Sequence, residues 1–331
     1  MIKGKKFFIT GGAGFIGTNL IKRLIADNEI IVYDNLSRNS LEGSGLWGHP
    51  NLEVIQGDIL NYDLLKKSIP SDIDLVLHLA AIAGIDTVIK NPVATMEVNM
   101  IGTYHLLKAL RELGLLGKIE RFVNFSTSEV FGIHAFRVDE KAPTNLQPVG
   151  EARWTYSVSK LAGEHLTYSY HKQYGLRAVT VRPFNVYGPG QVGEGAIHHF
   201  VVRAIRNEPL IIHGDGDQIR SWCYIDDMVD GILLCMEKEE AIGEVLNIGN
   251  PKGTITILGL AEKVIQLAGS SSQIVHVPKS YVDVELRIPS IEKAKTLLGF
   301  EPKVDLNEGI KRTIEWYKSK MGVTYGEDKA F

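Results

Sequence analysis

Two residues four apart, Tyr156 and Lys160 in "WTYSVSK", share one face if that segment is helical. A tyrosine at its ordinary pKa of about 10 is a poor base at neutral pH, and bringing it to about 7 takes roughly 4 kcal/mol of preferential stabilisation of the phenolate. An adjacent ammonium supplies part of that, and a positively charged ring bound beside it supplies more. Such a pair could serve as a base at neutral pH. Taken singly, Y-x-x-x-K is equally a surface tyrosine next to a solvated lysine. Upstream, however, "FSTSEVFG" closes an apolar run with Ser126, Thr127, Ser128 and Glu129, a hydroxyl cluster followed by a carboxylate. Glu129 is either a group with chemistry to do or an acid on a turn.

A second signal is "ITGGAGFIG", which spaces Gly12, Gly14 and Gly17 as G-x-G-x-x-G and places Gly11, Gly14 and Gly17 at intervals of three. Glycines there permit a tight turn, close approach of a pyrophosphate and packing of the following helix, whose N-terminus faces the anion. "IIVYD" ends in Asp34, where a carboxylate accepts hydrogen bonds from an adenosine ribose. Asp34 favours NAD over NADP by repelling a 2′-phosphate, although Arg38 nearby could accommodate one. Asp58, at the end of "IQGDI", suits a contact to the adenine edge or a plain turn equally well.

The elements that must position these groups can be read from patterning. "KFFIT", "FIGTNLIKRLIAD", "EIIVYD", "NLEVIQGDI", "DLVLHLAA" and "RFVNFSTS" alternate strand-like and helix-like runs, so the expected fold is α/β, a Rossmann-type doubly wound parallel sheet. "MIGTYHLLKALREL" and "TYSVSKLAGEHLTYSYHKQY" read as helices, and "RAVTVRPFNVYGPG" as a buried strand feeding a loop. Beyond residue 187 the alternation loosens. The chain is therefore divided into an NAD-binding domain with the catalytic helix over 1–187 and a smaller mixed α/β substrate lobe over 188–317, interleaved with the first. A C-terminal tail over 318–331 is expected to fray.

Composition narrows the partners. A formal charge of −3 over 331 residues offers no strong positive field, which argues against nucleic acid and for a small molecule. Only Cys223 and Cys235 are present, which suits a reducing cytoplasm better than a disulfide scaffold or a zinc site. No apolar run is long enough for a membrane span, so a soluble protein is expected. Adjacent His198 and His199 point apart and Glu194 adds no clear third ligand, so no metal is expected. "HGDGDQ" lacks the spacing of a calcium loop and reads as a turn.

With "TGGAGFIG", "HLAA", "STSEVFG", "YSVSK" and "RPFNVYGPG" in this order, the chain resembles the extended short-chain dehydrogenase/reductase family that modifies nucleotide sugars. The resemblance implies NAD held by Gly11, Gly14, Phe15, Ile16, Gly17, Asp34, Asn35, Asp58, Ile59, Leu79, Ala80, Ala81, Asn99, Ser126, Tyr156, Lys160 and Pro183. It also implies a nucleotide-diphosphate sugar held by Asn185, Arg220 and Arg287, with surface pairing of Arg220 to Asp215 or Asp217 as the other possibility. Thr127 and Tyr156 would act on the sugar's 4-hydroxyl, Lys160 would assist, and a 4-keto intermediate would form. A homodimer through the two long helices is the family's expectation.

The fate of the ketone turns on Glu129, with Ser128 beside it. Thr-Ser-Glu is similar to the triad of certain 4,6-dehydratases, in which a carboxylate takes the acidified C5 proton and water leaves. That is the first reading. The same triad occurs in UDP-glucuronate decarboxylases, and "ARWTYSVSK" resembles their version of this segment, with Arg153 or Arg220 to hold a carboxylate. A 4-epimerase, which needs no carboxylate, is a further alternative, and a non-catalytic NAD-binding sensor or scaffold is one from a different class.

Overall fold

The computed structural model describes residues 2–279 and 281–321. In chain order the first part holds β1 (Lys6–Thr10), α1 (Phe15–Leu24), β2 (Glu29–Asp34), β3 (Leu52–Gln56), α2 (Tyr62–Ser68) and β4 (Leu75–His78). Then come the short α3 (Ile85–Lys90) and α4 (Pro92–Met96), α5 (Gly102–Glu112), β5 (Arg121–Phe125), β6 (His134–Val138), α6 (Trp154–Tyr174) and β7 (Ala178–Pro183). The remainder comprises β8 (Val186–Tyr187), α7 (Ala196–Ile205), β9 (Leu210–His213), β10 (Ile219–Ser221), β11 (Cys223–Tyr224) and α8 (Ile225–Glu237). It ends with β12 (Val245–Ile248), β13 (Thr254–Thr256), α9 (Ile257–Ala268), β14 (Ile274–Val277), β15 (Leu286–Pro289), α10 (Glu292–Leu298) and α11 (Leu306–Met321).

Seven strands form one parallel sheet in the order β12-β7-β5-β4-β1-β2-β3. Strands buried on both faces read as continuous apolar runs, and Phe7, Phe8 and Ile9 of β1 are fully buried. Because all seven run the same way, their carboxyl ends share one edge. The chain winds outward from β1 in both directions, so a crevice opens between the ends of β1 and β4, where ligands of such sheets bind.

The two parts exchange strands. β12, late in the chain, joins the parallel sheet beside β7, while β6, from the first part, pairs with β15 in a four-stranded sheet of order β13-β10-β15-β6. In that sheet Arg220 of β10 lies directly opposite Arg287 of β15. Like charges opposed on neighbouring strands are unfavourable unless acids lie between them.

Two elements depart from the sequence reading. The helix expected around "MIGTYHLLKALREL" is preceded by a π-helical turn at Glu97–Ile101, in which an extra residue per turn carries buried Asn99. At the other end α11 continues to Met321, past the expected start of a tail at residue 318, with Lys318 and Lys320 in its last turn, where cations suit the helix dipole. Residues 322–331 of that tail lie outside the described residues.

Candidate active site

The glycine loop comes directly after β1 and enters α1. Gly11 has φ +71°, and a Cβ there would stand 2.3 Å from the backbone nitrogen of Ala80, so only glycine lets the loops after β1 and β4 approach. A Cβ at Gly17 would meet the carbonyl of Gly12 at 2.5 Å. Gly14 is the N-cap of α1 and brings no capping side chain, which leaves the first amides of the helix for an anion.

Asp34, at the end of β2, is held against this loop by accepting from Ala13 N at 3.0 Å and Leu36 N at 2.8 Å. Burial raises its pKa, and those two bonds work against the rise. Arg38 donates to Thr87 Oγ1 at 2.9 Å and to Glu194 at 3.3 Å, so its guanidinium is engaged elsewhere than at a 2′-phosphate. The cradle fits NAD. Ser126 Oγ adds a buried hydroxyl without a hydrogen-bond partner among the described residues, the kind of atom a bound ligand satisfies.

The other candidates for the cofactor divide. Phe15, Ile16 and Pro183 line a cavity of about 720 Å³, and Leu79 and Ala80 flank Gly11. Asn99 exchanges two hydrogen bonds with the backbone of Ile82, at 2.8 and 3.0 Å, and donates to Ser159 Oγ at 3.1 Å, which ties the loop after β4 to α6. Asp58 accepts from Leu60 N at 2.8 Å, the turn role, and Asn35 similarly caps Ser37 N at 3.1 Å. Ile59 packs against Gly102 of α5.

Tyr156 and Lys160 both lie on α6, and Tyr156 is hydrogen-bonded to Thr127. Burial pushes the tyrosine up to about 12 despite the Thr127 bond, and it lowers Lys160 to about 8 against the pull of Glu164. Glu164, one turn beyond Lys160, is bound bidentately by Arg182 of β7 at 2.8 and 2.7 Å. Beneath them, buried His78 joins Thr10 Oγ1 at 2.7 Å to Thr103 Oγ1 at 2.9 Å. Burial, aided by the charge of Lys160, lowers His78 to about 3 and so keeps it neutral.

Thr127 caps the short turn Ser128–Phe131 by accepting from Glu129 N at 3.1 Å. Glu129 then meets two guanidiniums. Arg153 Nη2 donates to both carboxylate oxygens at 3.2 Å, and Arg287 Nη1 donates to Oε1 while its Nη2 reaches Gly132 O at 2.8 Å. Burial alone would raise the Glu129 pKa, but Arg287 and Arg153, with Arg220 beyond them, bring it down to about 2.

Asp283 forms the second half of the cluster. It pairs with Arg153 Nη1 at 2.9 Å and with Arg220 Nη2 at 3.2 Å, in place of the expected surface partners of Arg220. Asp215 instead accepts from Asp217 N at 3.0 Å in the turn between β9 and β10.

Thr127, Ser128, Glu129, Arg153, Tyr156, Asn185, Arg220 and Asp283 line that same cavity, whereas Arg287 and Lys160 are buried and are not among its lining residues. Asn185 also ties β8 to β10 by donating to Ser221 O at 3.0 Å. Trp154 is buried in the core. His198 bonds Tyr317 at 2.6 Å, and no group of residues among those described could hold a metal ion.

Asp283, His78 and the Glu164–Arg182 pair were missed by the sequence reading. A histidine at a strand end was a signal for His78, whereas nothing local marks Asp283, which finds its arginines only once β10 and β15 pair.

A family model described as the NAD dependent epimerase/dehydratase family matches residues 7–249. UDP-glucuronic acid decarboxylase 5 of Arabidopsis thaliana is 37% identical over 326 residues, covering 96% of this chain and 91% of that protein. The structure of UDP-glucuronic acid 4-epimerase from Bacillus cereus, solved with UDP-glucuronic acid and NAD, superposes with a TM-score of 0.85 at 33% identity, covering 95% of this chain and 99% of that one. A dTDP-glucose 4,6-dehydratase from Bacillus anthracis, solved with NAD, gives a TM-score of 0.83 at 28% identity, covering 97% and 98%.

Proposed function

The chain belongs to the NAD dependent epimerase/dehydratase family, and within it we propose a decarboxylase that converts UDP-glucuronate through a 4-keto intermediate. The relatives support decarboxylation, an alternative in the sequence reading, better than 4,6-dehydration, which stood first.

One observation carries the choice, the charge around Glu129. Three guanidiniums, Arg153, Arg220 and Arg287, and the ammonium of Lys279, 3.9 Å from Asp283, meet only two carboxylates, Glu129 and Asp283, so the cluster keeps a surplus of positive charge. The diphosphate is common to every candidate substrate, but a C6 carboxylate adds negative charge to this surplus where a C6 hydroxymethyl group does not. A dehydratase also needs Glu129 as the base for the C5 proton. A carboxylate held at about 2 by two arginines is a weak base, with its lone pairs already engaged.

Tyr156 would take the proton of the 4-hydroxyl, Thr127 would orient that oxygen, and Lys160 would favour the phenolate. Bound NAD supplies the hydride acceptor at C4, and its positive ring helps offset the burial that holds Tyr156 high. The resulting ketone is β to the C6 carboxylate. The C5–C6 bond would then break, its electron pair moving toward the C4 oxygen as an enolate while CO2 leaves; a proton added at C5 restores the C4 ketone, which would take back the hydride at C4 and the proton from Tyr156 at its oxygen to give the pentose. Glu129, held from behind by Arg287, would compete with the substrate carboxylate for Arg153, so that carboxylate is recognised without being bound so tightly that its loss is opposed.

The assignments of substrate residues, a homodimer and a cytoplasmic location belong to this same proposal, the last supported by two free, buried thiols. The test is to incubate the protein with UDP-glucuronate and with other nucleotide sugars and weigh the products. Loss of CO2 from UDP-glucuronate is expected. Loss of water from a neutral sugar would return the assignment to dehydration, and an isobaric product from UDP-glucuronate would make it a 4-epimerase.

A further inference from the structure

Glu194, in the loop between β8 and α7, has no role in the proposed decarboxylation, yet two other chain segments converge on its carboxylate. Oε1 accepts from Thr87 N at 3.0 Å, Thr87 Oγ1 at 2.5 Å and Arg38 Nη2 at 3.3 Å, while Oε2 accepts from Asp86 N at 2.8 Å. Arg38 closes the triangle by donating to Thr87 Oγ1 at 2.9 Å. Two glycines clear the space. A Cβ at Gly84 would stand 2.6 Å from the Glu194 carboxyl group, and one at Gly193 would stand 3.1 Å from the Arg38 guanidinium, with φ of +97° and +80° at the two positions.

Sheet order gives this contact its meaning. Arg38 comes after β2 and Thr87 after β4, and β1 lies between those two strands. A bond from Arg38 through Glu194 to Thr87 therefore crosses the carboxyl end of β1, where the glycine loop begins. Ser40 N and Leu41 N both donate to Ala13 O, at 2.8 and 3.2 Å, which ties the β2 loop directly to the glycine loop. Asn19 of α1 adds a weaker tie to the Glu194 loop, donating to Pro189 O at 3.4 Å.

We infer that Arg38, Thr87 and Glu194 form a strap over the dinucleotide, and that Glu194 is the positioning residue that sets how long NAD stays bound. A cycle that removes a hydride and later returns it gains from a cofactor that does not leave midway. The half-exposed ion pair with Arg38 contributes little by itself; the charge-assisted bonds from Asp86 N and Thr87 contribute more. The inference rests on NAD use and is independent of decarboxylation, so either can fail alone.

The test loads the full-length protein with NADH, removes the excess, and tracks loss of bound-NADH fluorescence after addition of a large excess of NAD. Glu194→Gln and Thr87→Val should each release NADH about tenfold faster than the wild type. Because both break one contact, the double variant should be little faster than Glu194→Gln alone. Melting temperatures of the NAD-free proteins should match. Release at the wild-type rate in both variants overturns the inference, and so does faster release matched by a lowered melting temperature without NAD, which would make Glu194 a fold-stabilising residue only.

Discussion

Arg153 donates through one nitrogen, Nη2, to both carboxylate oxygens of Glu129, at 3.2 Å each. The guanidinium that would meet a substrate carboxylate is thus already shared with an internal one. Glu129→Gln withdraws the competing charge while keeping the shape. The KM for UDP-glucuronate is expected to fall and kcat to drop by about tenfold or more, because a tighter grip on the carboxylate stabilises the ground state. Steady-state rates from the appearance of the pentose product check this, and an unchanged kcat would remove Glu129 from the reaction.

The same pairing predicts an asymmetry in stability. Arg287→Met leaves the part-buried Glu129 with one cation fewer and should cost about 2 kcal/mol, since removing one partner of such a pair strands the other. Adding Glu129→Gln to it should recover part of that loss. Urea unfolding of the two single variants and the double variant measures the coupling. A double variant no more stable than Arg287→Met would show that the pair is not coupled.

Acid should expose the pair as well. The folded pKa of Glu129 lies at about 2, below its ordinary value of 4.5. Its contribution is therefore complete above about pH 4.5 and is lost as pH falls through 2. Over that window the wild type should lose more unfolding free energy than Glu129→Gln does. Parallel curves for the two proteins would contradict the depressed value.

The sheet and its cofactor cradle were legible because their signals are local. "ITGGAGFIG" and Asp34 lie within one β-α-β unit, and glycine spacing reports backbone needs that the folded loop displays at Gly11 and Gly17. Tyr156 and Lys160 were legible for the same reason, being one helical turn apart. The ion-pair cluster was only half legible. Arg220 and Arg287 stood out by resemblance, but their register on adjacent strands, and the arrival of Asp283 between Arg153 and Arg220, depend on how β10 and β15 pair. The π-turn at Asn99 escaped because it is a shift in backbone hydrogen bonding that no residue type marks, and "EVNMI" contains neither glycine nor proline.

The proposed homodimer makes its own prediction. On the turn before α5 and on α5 itself, Met100, Ile101 and Tyr104 are exposed, as are Val158 and Tyr168 on α6. These two helices pack on each other, and their exposed apolar residues are candidates for the proposed two-fold pairing. Light scattering should return a dimer, and Tyr104→Glu should shift it toward monomer. A wild-type protein that is monomeric at micromolar concentration would remove the homodimer from the proposal.

Lys160 yields a prediction in which stability and activity move in opposite directions. Burial brings its folded pKa down to about 8, whereas the unfolded chain keeps the proton up to the ordinary value of 10.5. Between those values the unfolded state binds more protons, so unfolding free energy should rise with pH across this window. Activity should fall over the same range, since a neutral amine no longer favours the Tyr156 phenolate. Lys160→Met removes both effects. Its stability should lack the alkaline gain seen in the wild type, and its rate should be low, with no fall near pH 8. Denaturant unfolding and single-turnover oxidation from pH 6 to pH 10 measure the two curves, and a wild-type protein whose rate and stability fall together above about pH 8 would show that Lys160 is not the group that titrates.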